Sequence, residues 1–410
     1  MELHHWASRA ELTLNRLFPG APLGDQQPRG NDPNEMDDDL LAVNLGTGKT
    51  AVAISAGGAT TCALLSDASI KCWGYNGEGQ LGLGDMAWRG DEPNEMGDNL
   101  PVVDLGLGKT AVAISAGESH ICAVLDDASV KCWANNMYGQ LGLGEIAIRG
   151  DEPNEMGDNL PAVSLGMGKI AIAISAGSLH TCAFFNDASV KCWGYNLYGQ
   201  LGLGDIEDRG EAPNAMGDNL STVSLGTGKT AAAISAADAH TCALLNDASV
   251  KCWGYYGNGR LGLGDQQTRG DGPNEMGDNL PAVDLGTGKT AVAISAGYAF
   301  ACARLNDASV KCWGDSYYGQ LGLGDTEDRG DELNEMGDSL PAASLSTTKT
   351  AVAVNAGYVH TCALLNDASV KCWGDAASGR LGLGDTTHRG DEPNEMGDNL
   401  STVKLFSSLW

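Results

Sequence analysis

Positive charge is scarce in this sequence: 25 lysines and arginines stand against 53 aspartates and glutamates, a formal net charge of −28. A field of that sign repels nucleic acid and anionic lipid, which argues against both as partners. Its plain consequence is solubility. Long apolar runs are absent; none approaches the ~20 residues a membrane helix needs. The start of the chain lacks the basic residues and apolar core of a secretory leader. Proline is sparse, 13 against 57 glycines, which suits many tight turns. No cysteine is left over: all 12 fall in six copies of one hairpin. No nucleophile, base and orienting acid form a set that breaks the repeats, as a catalytic constellation would. A non-enzymatic protein without a cofactor is the expectation.

What is present is a period of 60 residues. The stretch from His180 to Gly194 reads as a hairpin with one cysteine on each strand. Its first cysteine recurs at Cys62, Cys122, Cys182, Cys242, Cys302 and Cys362, and its second at Cys72, Cys132, Cys192, Cys252, Cys312 and Cys372. Each step is 60 (122 − 62 = 60). In every copy the two cysteines lie symmetrically about the turn, as Cys62 and Cys72 do about Asp67. Directly opposed, non-hydrogen-bonded residues of an antiparallel pair have Cα atoms about 4.5 Å apart, within disulfide reach. Six intra-hairpin disulfides are expected; the bland reading is buried thiols packing as small hydrophobes. Cys-x9-Cys is not zinc spacing. The paired cysteines favour an extracellular or lumenal compartment, and the missing leader favours the cytoplasm.

Each repeat divides into four short strand candidates. In the first repeat these are residues 51–55, 60–65, 69–73 and 100–105, with a turn at Ser66-Asp67-Ala68 and a long Gly- and Asp-rich connection over 74–99. One four-stranded sheet cannot bury both faces, and stacking such sheets radially solves the problem. The expected fold is an all-β propeller of four-stranded antiparallel blades, with an open solenoid as the competitor. The first three strands occur six times and the fourth seven times, the extra copy being Leu41 to Leu45. Six blades follow, with seven or an incomplete ring as the alternative. The spare strand either completes the last blade or marks a lost one. Residues 3–18 read as a short helix, with Leu3, Trp6, Ala10, Leu14 and Leu17 at steps of three and four and Pro19-Gly20 as the stop. That helix is a cap on the array or the scar of a truncated gene. The expected division is residues 1–40 as helix and partial repeat loop, and 41–410 as one propeller, a monomer.

The run Ala176-Gly177-Ser178-Leu179-His180 and then Trp193-Gly194-Tyr195-Asn196-Leu197-Tyr198-Gly199-Gln200-Leu201-Gly202 resembles the repeat of the regulator of chromosome condensation family. The resemblance covers nearly all of the chain after residue 40. It implies a propeller, commonly of seven blades. Its members include a nucleotide exchange factor for a small nuclear GTPase, a secreted β-lactamase inhibitor and a plant light receptor, so the fold alone names no task. A guanine-nucleotide exchange role is the family-based alternative. Against it, every repeat keeps 60 residues, leaving no inserted wedge of the kind the exchange factor turns to its GTPase, and the basic tail that holds that factor on chromatin is missing.

Several short motifs read as parts of the repeat. Gly48-Lys49-Thr50 has Val43 where a phosphate loop needs glycine, and no helix follows, so it is a turn. His120, His180, His240 and His360 share one position with Thr60 and Phe300, which points to packing and a local hydrogen bond rather than a metal ring. Arg89-Gly90-Asp91 and the carboxylates that follow it, repeated in most copies, raise an extracellular calcium-dependent adhesion protein as a third reading.

The leading reading is a protein-binding scaffold. In an up-and-down sheet the turn after the first strand and the connection after the third lie at one end, and these positions vary between repeats while the opposite end stays near Asn-Asp-Ala-Ser and Gly-Thr-Gly-Lys. All 10 tyrosines fall at the variable end. Tyrosine buries a rigid ring and keeps a polar tip, which enriches it at interface hot spots. The expected protein-binding residues are Tyr195, Tyr198, Tyr255, Tyr256, Tyr298, Tyr317 and Tyr318.

Overall fold

A computed structural model describes residues 24–405, so the expected helix over 3–18 lies outside the described residues. Each repeat forms one antiparallel sheet of three strands, and there are six such sheets. In the first repeat the strands are Ala51–Gly57, Thr60–Leu65 and Ile70–Gly74. The second strand is wholly buried; it is the middle strand, with neighbours on both edges and apolar cover on both faces. The first strand is half-buried and small, with alanine at 51, 53 and 56. Asp67 shapes the hairpin turn: its Oδ1 accepts Ser69 Oγ at 2.7 Å while Ala68 takes φ 63°.

The expected fourth strand departs from a strand for a physical reason. Residues 100–105 run extended beside the third strand, but only one backbone bond joins them, Val103 N to Ile70 O at 2.8 Å. Pro101 has no N–H to donate. A lysine of the next repeat supplies part of the attachment instead, Lys131 Nζ donating to Leu105 O at 2.9 Å, as Lys71 does for the spare copy at Leu45. Lys71, on the third strand and almost fully buried, donates from Nζ to Leu45 O at 3.0 Å and Gly97 O at 2.6 Å. Lys131, Lys191, Lys251, Lys311 and Lys371 do the same in the other repeats. Burial lowers the affinity of these ammonium groups for their protons, and the paired carbonyls compensate by holding the charged form.

The chain gathers into two compact units. Of the described residues, one contains Leu41–Leu197 and Asp205–Val223 with 24–27; the other contains Pro28–Leu40, Tyr198–Gly204 and 224–405. In the first unit, neighbouring repeats are tied by Trp133 Nε1 to Gln80 O at 3.0 Å and by Trp193 Nε1 to Gln140 O at 2.9 Å. In the second, Trp313 and Trp373 reach back to Arg260 O and Gln320 O in the same way. First strands of successive repeats are linked by a serine, Ser115 Oγ accepting Ala176 N in the first unit and Ser295 Oγ accepting Ala356 N in the second.

The spare fourth-strand copy packs on the first repeat, where Val43 and Leu45 touch the cluster of Ile54, Leu65 and Trp73. It is the loop before it that meets the last repeat. Gly384 N donates to Gly30 O at 2.9 Å and Asp37 N to Lys404 O at 3.1 Å. The same two bonds join Gly324 to Gly390 and Gly397 to Ser344 one repeat earlier. Residues 28–40 thus stand where the connection before the fourth segment of a further repeat would run.

Candidate functional site

All 12 cysteines are joined within their hairpins. Cys62 pairs with Cys72, Cys122 with Cys132, Cys182 with Cys192, Cys242 with Cys252, Cys302 with Cys312 and Cys362 with Cys372, with Cα atoms 4.0–4.1 Å apart across directly opposed positions. Each bond ties the middle strand to the third, and with it the end of the sheet from which the variable connection leaves.

That connection is built from the end of the third strand. In the third repeat Gly194 takes φ +105°, and a Cβ there would lie 2.5 Å from Leu179 O. Tyr195 N then donates to Leu179 O at 3.0 Å, which brings the connection after strand three against the turn after strand one, as the sequence pattern required. The chain loops out and returns as a bridge, Gly194 N donating to Arg209 O at 2.8 Å. A buried asparagine pins the loop: Asn196 Nδ2 donates to Asp205 O at 2.8 Å and to Glu207 O at 3.1 Å. Asn76 and Asn136 hold the same station, with Asn76 Nδ2 on Asp85 O at 2.7 Å and its Oδ1 accepting Leu81 N. An arginine closes the loop from outside, Arg209 on Asp205 Oδ2 at 2.7 Å, Arg89 on Asp85 Oδ2 at 2.7 Å, and Arg149 on Glu145.

In the second unit the same loop is pinned differently. Tyr256, Ser316 and Ala376 replace the asparagine. Arg260 and Arg380 replace a buried glutamine. Arg260 is almost fully buried, donates from Nε to Gly257 O at 2.8 Å, lies 3.7 Å from Asp238 Oδ2 and stacks 5.0 Å from the Tyr255 ring centroid. Arg380 pairs with Asp375 at 2.7 Å. The Asp315 carboxyl is raised above its usual range, mainly by burial and then by the nearby Asp328. The two arginines break the repeat in plain view, and comparing position 80 with its equivalents would have found them.

Of the tyrosines picked from the sequence, most are half-buried and stacked. In the first unit Tyr195 packs against Tyr138 with ring centroids 4.6 Å apart. In the second, Tyr198 packs on Tyr255 at 4.7 Å, Tyr255 on Tyr256 at 5.1 Å, Tyr298 on Tyr358 at 4.2 Å, and Tyr318 on Tyr317 at 4.8 Å. Tyr317 is the most open, 70% exposed. Sequence reading by residue type missed the exposed apolar side chains other than tyrosine at the same end of the first unit. Met86, Trp88, Met137, Ile146, Leu197 and Ile206 are all exposed, Met137 by 61% and Trp88 by 48%. Their signal was positional: residues 86–88 read Met-Ala-Trp and 146–148 Ile-Ala-Ile, where 266–268 read Gln-Gln-Thr and 326–328 Thr-Glu-Asp.

The remaining motifs are absorbed by the fold. The Gly-Lys-Thr string is a turn, Lys49 N donating to Gly46 O, and its lysine pairs with Asp67, drawing that carboxyl down to about 2. In the acidic loop, Glu95 Oε2 accepts Gly90 N at 2.9 Å and Glu92 N at 3.1 Å, so the carboxylate closes its own loop. Among the described residues no three His, Cys, Asp or Glu side chains gather to hold a metal ion, and no helix is long and apolar enough to cross a membrane.

His120 bridges repeats rather than bonding locally: its Nε2 lies 2.7 Å from Thr181 Oγ1 of the next one. Burial pushes the imidazoles of His120 and His360 down to about 4 and that of His180, which also faces His120, to about 3. A base whose folded pKa is depressed takes up protons preferentially when unfolded. Its contribution is whole above the unfolded value near 6.5 and is lost as pH falls toward 4. Thermal melts are expected to show the midpoint dropping across that window. His180→Phe, which copies Phe300 of the fifth repeat, should flatten the drop; an unchanged acid limb would show that the histidines do not drive it.

A family model described as RCC1-like domain matches residues 20–408. The chain is 26% identical over 327 residues to the Ultraviolet-B receptor UVR8 of Arabidopsis thaliana, covering 79% of this chain and 64% of that protein. It is 26% identical over 339 residues to the human E3 ubiquitin-protein ligase HERC2, covering 82% of this chain and 6% of that one. The chain therefore spans less than two thirds of the length of these relatives. Among solved structures it is similar to human WBSCR16, with TM-score 0.63, 18% identity and 86% of each chain covered. It is also similar to yeast RCC1 (Prp20) bound to Kap60, with TM-score 0.63, 16% identity, and 93% of this chain and 81% of that one covered. At these identities the likeness shows the fold, a mostly-β propeller with six blades.

Proposed function

This chain belongs to the RCC1-like domain family, and on that footing we propose that it is a non-enzymatic protein-binding scaffold, using in each unit the end of the blades where the variable connections leave. The observation that carries this reading is the sorting of side chains. The opposite end repeats one ion pair in every copy, such as Lys109 with Asp127 and Lys229 with Asp247, while this end collects every tyrosine and the exposed aliphatic residues of the variable loops. Exposed apolar and aromatic side chains among polar groups are suited to interaction sites. The disulfides and pinned loops hold it in place beforehand, which lowers the entropy lost on binding. Family members are described as binding proteins: yeast RCC1 (Prp20) is solved bound to Kap60, and Prp20p is characterised for binding Gsp1p and histones. Those partners carry over only as a class, protein. We place residues 41–410 in one propeller of six 60-residue repeats, as a monomer.

Once a partner is in hand, Tyr317→Ala and Tyr358→Ala are expected to weaken binding by about 1 kcal/mol or more each where they are hot spots. Both rings are exposed, so the folded chain should be little disturbed. Titration of the purified partner checks this; affinities unchanged by both substitutions would remove the second unit's tyrosines from the interface.

A further inference from the structure

The repeats supply an internal control for the exposed apolar residues of the first unit. In the second unit the loop keeps its Gly–Arg bridge and its outer arginine pair with Gln266, Thr268, Thr326 and Asp328 at the stations of Met86, Trp88, Ile146 and Ile148. The loop therefore folds without large apolar side chains there. Six of them nonetheless lie exposed on three successive repeats, on loops pinned by Asn76, Asn136 and Asn196, and Trp88 stands edge-on to Tyr75 at 5.3 Å.

The charge at this end is one-sided. Arg89, Arg149 and Arg209 are each matched by a carboxylate of their own loop. The first unit's other lysines are committed elsewhere, Lys71, Lys131 and Lys191 to buried carbonyls and Lys49, Lys109 and Lys169 to aspartates at the opposite end. Among the described residues Glu78, Glu118, Glu207 and Asp208, on the loops and turns of the same end, are in no ion pair, although Glu78 accepts Asn135 Nδ2 at 2.8 Å and Asp208 accepts Asn196 N at 2.7 Å. Asp208 has its carboxyl raised, mainly by burial, with a bond from Asn196 N and the Arg209 cation opposing and Glu211 and Glu207 adding to the rise. A second copy of a chain carrying −28 would bring more of the same sign.

From this juxtaposition we infer that the variable end of the first unit is a docking surface for a cationic segment of a protein partner, one that interleaves lysine or arginine with aliphatic or aromatic side chains. The apolar side chains lie on Met86, Trp88, Met137, Ile146, Leu197 and Ile206, and the cations meet the surrounding carboxylates. The inference rests on the protein-binding reading above and names the partner's chemistry.

The full chain is titrated with three short labelled peptides at about 0.15 M salt, where exposed charges are largely screened beyond ~8 Å. One alternates lysine and leucine, one replaces leucine by serine, and one replaces lysine by glutamate. The variant carries Met86→Gln, Trp88→Thr and Ile146→Gln, residues the fourth repeat already uses, so its melting temperature should match that of the parent. The lysine–leucine peptide is expected to bind the parent at least tenfold more tightly than it binds the variant, and at least tenfold more tightly than either other peptide binds the parent. Because Trp88 is the exposed tryptophan among the described residues, its emission should shift to the blue on binding. Equal affinity for parent and variant, equal binding of the glutamate peptide, or self-association of the parent that the variant abolishes would each overturn the proposal. If instead a purified partner proves acidic yet loses affinity on substitution at this end, the cationic class falls and the protein-binding reading stands.

Discussion

A chain carrying Cys182→Ala and Cys192→Ala is expected to lose about 3 kcal/mol of stability, read as a lower urea midpoint at unchanged slope. The pair closes a loop of sequence separation 10, and the loop-entropy account gives about 3 kcal/mol for a loop of that size. Alanine suits the test because both sulfurs are fully buried against apolar neighbours, where serine would add an unpaired hydroxyl. Full reduction opens six such loops at once, so the reduced chain should unfold at far lower urea than the oxidised one, though the losses will not add strictly. Non-reduced peptide mapping checks the pairing directly and should return Cys62 with Cys72 and its five equivalents. Twelve free thiols after purification in air, with an equal midpoint for the double variant, would contradict it.

The second large effect concerns the joints between repeats. Trp193 is fully buried, and its Nε1 shares Gln140 O with Thr181 Oγ1, each at 2.9 Å. Removing the indole leaves a cavity and one donor fewer on that carbonyl, so Trp193→Ala should cost about 3–5 kcal/mol. Trp193→Phe keeps most of the ring and deletes the N–H, and should cost about 1–2 kcal/mol. Near-equal losses for the two would mean that the hydrogen bond, not the ring, joins these repeats. A loss under about 1 kcal/mol for alanine would mean that the joint is made elsewhere.

These joints show how far the sequence could be read. The period, the hairpin and its turn were legible because Cys62 and Cys72, Asp67 and Ser69 are local and each has one geometric solution. The six blades followed from counting strands, and the end that varies followed from strand alternation, as Tyr195 N on Leu179 O bears out. Contacts that cross repeats were not legible. Nothing in His120 names Thr181, 61 residues on, as its neighbour, and nothing in Lys71 announces that its ammonium is buried between two carbonyls 26 residues away on either side. The fourth strand was misjudged in kind because apolar patterning reports burial, not backbone pairing, and Leu100, Val103 and Leu105 are buried with a single ladder bond among them. At the candidate site, residue type drew attention to tyrosine, yet stacking half-buries most of those rings. The departures from the repeat at Met86, Trp88 and Ile146 were the stronger signal, because a repeat protein shows which residues the fold can do without.

The central claim, that the variable end of the blades is the protein-binding end, is tested most directly by comparing two variants against one purified partner. The first carries Met86→Gln, Trp88→Thr and Ile146→Gln at the variable end of the first unit. The second carries Leu107→Thr and Met167→Thr, both highly exposed at the opposite end and both matching Thr47 and Thr227 of other repeats. Isothermal titration should show affinity reduced at least tenfold for the first and unchanged for the second. An unchanged first variant with binding abolished in the second would place the interface at the conserved turns and contradict the account.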